Sequence, residues 1–327
     1  MNNDIRKWHL DIYGQSLTTL FNAYNYTVKI EPTLDDRECL KENLYLCPLC
    51  LKSFFYLKNS EFYGNEEFTA DHFPPKSVGG SQTVLVCKPC NNSAGKDLDY
   101  ALKEYLSFKR FWAKKNKAKY PSKIKYEGIE GNYNQDFYWD NGKLVKEVNF
   151  RKYPKVKEWV LAAKISPGSF ALKIVVPPAE IIHRALLRAA YLYCFVNWGY
   201  DFAYSESARH IRNTVLGMEQ HPLSNYGVFS DYNFEHAPHG FYFNDRTVEE
   251  QAFFVFFDIK LLEPEYTERI FVVIPGPDTV SWNQLSHFKS WYSSMEGDIS
   301  LIELYADSAK RKNYFAYSTT WSKLAKV

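Results

Sequence analysis

Several things are scarce in this sequence, and each scarcity excludes a class of protein. Net charge is only +2, with charged residues at 24%. A chain this near neutrality is not a polyelectrolyte that must coat nucleic acid, so any basic footprint has to be local. Cysteine is limited to six residues, Cys39, Cys47, Cys50, Cys87, Cys90 and Cys194. Four of them form two Cys-x-x-Cys pairs, a layout that suits thiolates on a metal in a reducing compartment better than a disulfide framework. The opening stretch "MNNDIRKWHLDIYGQ" lacks the apolar core and small-residue cleavage site of a secretory leader, so a cytoplasmic protein is expected. Clean hydrophobic runs are missing too. The longest, residues 179–198, is interrupted by His183, Arg184 and Arg188, so no membrane partner is expected. Internal repeats and low-complexity segments are absent.

The chain does have length and aromatic residues. Its 327 residues allow two or three folding units at about 100–200 residues each. The 17% aromatic content suits strand-rich packing around large cores. Residues 1–43 read as a helical lead-in, because "SLTTLFNAYNYTV" has apolar residues at roughly helical spacing before Pro32. Residues 44–102 carry the cysteine pairs and have few long apolar periods, so this small unit needs a staple. A basic segment spans 103–126, and residues 103–125 hold nine lysines or arginines against one acid, Glu104. From 127 to 327 the pattern is that of a larger α+β accessory domain. Asn141-Gly142 separates two β-prone runs as a hairpin, "FALKIVV" over 170–176 reads as a strand, and an apolar helix starts near 179. "AFFVFFDIKLL" and "RIFVVIPG" read as paired central strands, and a last helix starts near Asp278.

Cys47-Pro-Leu-Cys50 and Cys87-Lys-Pro-Cys90 are separated by residues 51–86. Each pair makes a tight turn with two thiolates aimed at one ion, and two such knuckles complete the tetrahedral sulfur site of structural zinc. Four sulfurs leave no open coordination position, so this zinc holds the fold and takes no part in chemistry. The alternative of a redox Cys-x-x-Cys does not explain two pairs bracketing a histidine-bearing loop.

Between and just after the knuckles run "DHFPPKSVGG" and "LVCKPCNNSAGKDLD". Together with the first Cys-x-x-Cys they resemble the HNH nucleases of the ββα-metal fold, closest to the zinc-bearing members, over about residues 44–100. The resemblance implies an α+β protein: a small ββα-metal module with four-cysteine zinc knuckles, followed by the larger α+β domain. It also implies phosphodiester hydrolysis, with His72 as the general base and Asp71 and Asn91 as oxygen ligands of Mg2+ or another divalent cation. Asn92 is the neighbouring candidate for the last role, but the family register favours Asn91. The asparagine that many members carry on the second strand is absent, and Gln82 lies nearest that position, where its amide can orient the histidine. Gly79-Gly80 permits the turn between the strands. One tension is internal to the pattern: successive strand residues face opposite ways, so Asp71 and His72 share a site only where the strand is ending or strongly twisted. Pro74-Pro75 makes an early end plausible.

For substrate, the basic segment offers Lys109, Arg110, Lys114, Lys115, Lys117 and Lys119 to a nucleic-acid backbone, with the null alternative of a solvated helix face. The arginines of the apolar helix read as core residues that snorkel or pair with acids. Glu235, His236 and His239 read as a loop group. The reading is a metal-dependent endonuclease acting on nucleic acid, with double-stranded DNA as the expected partner by family resemblance. Gating by the accessory domain, through a protein partner or activating ligand, is a hypothesis, and a prokaryotic antiviral-defence or mobile-element setting is analogy. The alternative is an inactive zinc module serving as a nucleic-acid- or protein-binding adaptor.

Overall fold

The computed structural model describes residues 44–55, 68–114, 118–126, 129–147, 152–155, 157–158, 176–218, 228–230, 240–244, 252–261, 266–275 and 302–303. The expected helical lead-in over 1–43, the strand over 170–175, the loop group at 235–239 and the helix from Asp278 lie outside them, as do Lys115 and Lys117. The described chain mixes helices and strands around a cluster of four cysteines.

Strands β1 (Leu44–Leu46) and β2 (Ser53–Phe55) form a short antiparallel hairpin. The first knuckle is its turn, closed by Leu51 N–H donating to the Cys47 carbonyl at 2.8 Å and Cys47 N–H donating to the Lys52 carbonyl at 3.1 Å. A second hairpin pairs β3 (Phe68–Phe73) with β4 (Gln82–Cys87), in register from Phe68 opposite Cys87 to Phe73 opposite Gln82. The link between them is compact. Pro74 and Pro75 follow the end of β3, and a 3-10 turn at Lys76–Val78 ends on Gly79 with φ 88. Only glycine adopts that φ without strain, and a Cβ on Gly80 would fall on the Pro74 carbonyl. The Gly-Gly pair is therefore required by the turn.

The second knuckle sits where β4 becomes helix. Cys87 is the residue before α1 (Lys88–Ala94), and Pro89 occupies the first turn, where a missing N–H costs nothing. The helix continues through a π turn at Gly95–Asp99 into α2 (Tyr100–Trp112). A three-stranded antiparallel meander follows: β5 (Tyr120–Tyr126), β6 (Ile129–Asp140) and β7 (Lys143–Glu147), the last two joined at Asn141-Gly142. It has a small core of its own, Phe111, Tyr120 and Phe137, with Phe108, Trp139 and Leu144 packed against it.

Helix α3 (Ala179–Ala203) is the apolar helix, bent at Gly199, whose φ is 60. Helix α4 (Glu206–Val215) follows, N-capped by the Ser205 hydroxyl, which accepts from Ala208 N–H at 3.2 Å. The remaining strands are β8 (Val228–Ser230), β9 (Gly240–Asn244), β10 (Ala252–Leu261), β11 (Tyr266–Pro275) and β12 (Ile302–Glu303). They form one antiparallel sheet, ordered β12-β9-β10-β11-β8, with the apolar β10 and β11 near its centre. No helix among the described residues is long and apolar enough to cross a membrane.

Apart from the meander, one buried cluster joins the hairpins, the helical run, α3, α4 and the central strands of the sheet. It takes Leu46, Val84 and Leu85 from the hairpins, Leu98, Leu102 and Leu106 from the helical run, Leu186, Ala190 and Phe195 from α3, and Val255, Phe257, Ile270 and Val272 from the sheet. A unit with few apolar residues of its own gains its core by docking, since burial is worth about 25 cal/mol per Å2 and needs a partner surface. The rings of Phe73, Tyr193 and Phe257 mark the seam: Phe73 meets Tyr193 edge-on at 4.9 Å, and Tyr193 stacks on Phe257 at 5.5 Å.

Candidate metal centre and adjoining cleft

The sulfur atoms of Cys47, Cys50, Cys87 and Cys90 all lie within 4.8 Å of one another. A tetrahedral ion at the usual Zn–S distance of about 2.3 Å has sulfurs about 3.8 Å apart, and Cys50 Sγ lies 3.7 Å from Cys87 Sγ. The Cys47 sulfur also accepts the Cys87 backbone N–H at 3.4 Å, a bond that stabilises thiolate character. Burial holds the metal-free Cys47 thiol well above its ordinary value, and a cation is what lets such a cluster ionise. The four cysteines form a group able to hold a metal ion such as zinc. They are the only group of three or more His, Cys, Asp or Glu ligands that converges among the described residues.

Next to this centre, an open cleft of about 380 Å3 lies between the end of β3, the 3-10 turn and the helical run. Its lining includes Asp71, His72 and Asn91, so the structure brings these three predicted residues to one place. Both members of the Asp-His pair line it although they alternate along β3, which ends one residue later at Phe73. His72 is half-buried, and Thr83 stands opposite it across the hairpin. Asn91 donates from Nδ2 to Thr69 Oγ1 at 2.8 Å, leaving its amide oxygen as the hard donor. Asp71 and Asn91 both carry oxygen atoms and both line the cleft. Asn92 is exposed and does not line the cleft.

Gln82 sits differently from its expected role. It is exposed, opposite Phe73 and on the other face of the hairpin from His72, and it does not line the cleft. The strand register, which counting back from the knuckle cannot supply, puts Thr83 at the cross-strand position instead.

Among the described residues, three lysines of the basic segment contact the protein itself. Lys109 pairs with Glu268 of β11 at 3.3 Å, Lys114 lies over the Trp139 ring at 5.2 Å, and Lys119 pairs with Glu147 at 2.6 Å. Arg110 is buried, 8% exposed. The exposed cations that do line the cleft are Lys76 and Lys103, with Tyr100, 62% exposed, beside them. Sequence reading did not single these out. Tyr100 and Lys103 lie one and four residues beyond the motif, on the helix that continues from it.

Two charged groups complete the cleft. Asp99, in the π turn, lines it, and burial pushes its carboxyl up to about 6 against the opposing pull of Arg188. Asp71 is 2% exposed, and burial raises its carboxyl too, again opposed by Arg188. Arg188 comes from α3 and donates to both acids. The sequence marked it as an arginine of a core helix that snorkels or pairs with acids, and the structure shows the pairing. Comparison with family models, with curated proteins and with solved structures finds no match for this chain.

Proposed function

We propose that this protein is a metal-dependent endonuclease of the HNH kind, hydrolysing phosphodiester bonds in nucleic acid, with DNA duplex as the leading substrate. The observation that carries the reading is the meeting of His72, Asp71 and Asn91 in one open cleft beside the four-cysteine centre. In this reading the two hairpins and the helical run are a ββα-metal module, and zinc in the cysteine site keeps β4 and α1 in place. The His72 imidazole takes the proton from the attacking water, a task suited to a side chain that ordinarily titrates near neutral pH. Asp71 and Asn91 hold a divalent cation through oxygen atoms. When bound, that cation offsets the negative charge that grows on the phosphate and leaving oxygen. Lys76 and Lys103 draw the backbone into the cleft, contacts that position substrate without reading sequence.

The test is incubation of purified full-length protein with supercoiled plasmid under Mg2+, Mn2+ or EDTA, alongside His72→Ala. Metal-dependent nicking or linearisation that is lost in a folded His72→Ala supports the enzyme. Cleavage that survives the substitution rejects His72 as the base. A second reading, an inactive zinc adaptor, draws on the near-complete burial of Asp71 under Arg188. It is favoured if folded, zinc-loaded protein binds DNA and cuts none under any divalent metal.

A further inference from the structure

The cleft is lined by β3, the 3-10 turn and the helical run, but two of its acids, Asp71 and Asp99, are held by a side chain from another element. Arg188 projects from α3 and is 2% exposed. Its guanidinium forks, one terminal nitrogen donating to Asp71 Oδ2 and the other to Asp99 Oδ1 at 3.1 Å, and its Nε–H has no partner among the described residues. Both acids line the same cleft as His72 and Asn91. A buried charge is expensive, and an apolar side chain of similar volume is often as good for stability. An arginine here therefore calls for a reason beyond packing.

The helix that carries it cannot easily withdraw. Tyr191, one turn along, donates to the Pro48 carbonyl inside the first knuckle at 2.6 Å. Tyr200 donates to the Leu46 carbonyl at 2.7 Å and accepts from Leu46 N–H at 2.9 Å. Tyr193 packs between Phe73 and Phe257. These contacts pin α3 on the C-terminal side of Arg188, so the guanidinium is a fixed support behind the two acids and not a latch that swings aside. A carboxylate has more acceptor positions than one guanidinium nitrogen uses. Occupying Oδ2 of Asp71 restrains the group and leaves acceptor capacity for a cation.

We propose that Arg188 is a positioning residue of this cleft: by forking between Asp71 and Asp99 it orients Asp71 toward the cation site and offsets the repulsion between the two acids. The cation site is then incomplete without α3, and the residues from 44 to about 125 are not a self-sufficient nuclease. The inference rests on the nuclease reading, because it takes Asp71 as a cation ligand.

The experiment uses full-length, zinc-loaded protein and Mn2+ as the probe, followed by electron paramagnetic resonance or calorimetry at neutral pH, with zinc content and melting temperature measured in parallel. Arg188→Met should weaken Mn2+ binding by about 10- to 100-fold, the range seen when a group orienting a metal ligand is removed. Arg188→Lys should recover part of the loss, since it keeps the charge but cannot fork. It also carries the test if the Met variant does not fold, and in that case wild-type affinity in Arg188→Lys overturns the inference. A merely structural arginine would lower the melting temperature and leave the affinity of folded protein unchanged, which overturns the proposal. Tighter Mn2+ binding also overturns it, by making Arg188 a competitor of the cation. Asp71→Asn separates the two levels. If it abolishes Mn2+ binding while Arg188→Met does not, only the role of Arg188 falls; if Mn2+ binding is indifferent to Asp71, the reading beneath it falls as well.

Discussion

Tyr200 ties the accessory helix to the metal centre through one hydroxyl, which makes Tyr200→Phe a sharp test of how the two halves are joined. The ring is 0% exposed, and its hydroxyl both donates to the Leu46 carbonyl and accepts from Leu46 N–H. Leu46 immediately precedes Cys47, one of the four cysteines that could hold a metal ion. Removing the hydroxyl leaves a buried N–H and a buried carbonyl without that partner, and each such group costs about 1–3 kcal/mol. The expected loss is therefore about 2–6 kcal/mol. At roughly 2 cal/mol/K of unfolding entropy per residue, this is a fall of about 3–9 °C in Tm for a chain of this length. The loss falls on the residue beside Cys47, so a metal ion held by the four cysteines should also leave faster. Thermal unfolding followed by circular dichroism gives the first quantity, and the rate at which a chromophoric chelator captures zinc gives the second. A Tm unchanged to within about 1 °C, with wild-type zinc release, would refute the argument that this hydroxyl holds the knuckle against α3.

Three further outcomes follow from the same geometry. Stripping the metal, or Cys90→Ala, removes a binding energy of about 10–16 kcal/mol, comparable to a whole domain's stability of about 5–15 kcal/mol. Because the core is shared, amide protection around Leu186 to Phe195 should fall along with that of the knuckles, and hydrogen exchange that leaves α3 fully protected would contradict the shared core. Asp99 has a native pKa raised to about 6, so the folded state binds its proton more tightly than the unfolded state. Its contribution to stability is then largest at low pH and declines as pH rises through about 4 to 6, by on the order of 3 kcal/mol. Denaturant titrations of wild type and Asp99→Asn across that window should diverge with this sign, and parallel curves would reject it. Gly80→Ala drives a methyl onto the Pro74 carbonyl and should cost about 3 kcal/mol or more. Gly142→Ala meets nothing within 4 Å and pays only for its positive φ, about 1–2 kcal/mol. Equal costs in urea unfolding would show that the turn beside the cleft is not tightly packed.

Much of the site could be read from the chain because its signals are local. A Cys-x-x-Cys turn needs only four residues to aim two sulfurs, so the knuckles were legible, and their convergence needed one further assumption, that both serve the same ion. The Asn141-Gly142 hairpin and the apolar strands β10 and β11 were equally local, set by turn chemistry and by runs of branched and aromatic side chains. The placement of Gln82 failed for a related reason: counting residues gives a position along a strand, but the face it points to depends on register with the partner strand, where one step reverses every side chain. The basic segment was legible only as charge. Whether a lysine faces solvent or an acid depends on what packs beside it, and Glu268, which meets Lys109, comes from a strand far along the chain.

By itself, then, the sequence determined which residues can do chemistry: the four thiols, the Asp-His pair, the asparagine after the second knuckle and the glycines that let the hairpin close. The tertiary structure decided which of them meet and in what surroundings. It put Asp71 under an arginine 117 residues away in sequence, made Asp99 part of the cleft, and gave the small metal-binding unit a core it could not build alone. The physical reason is that bonding preferences and turn geometry act over a few residues, whereas burial and charge pairing are properties of surfaces that come together only when the whole chain has packed.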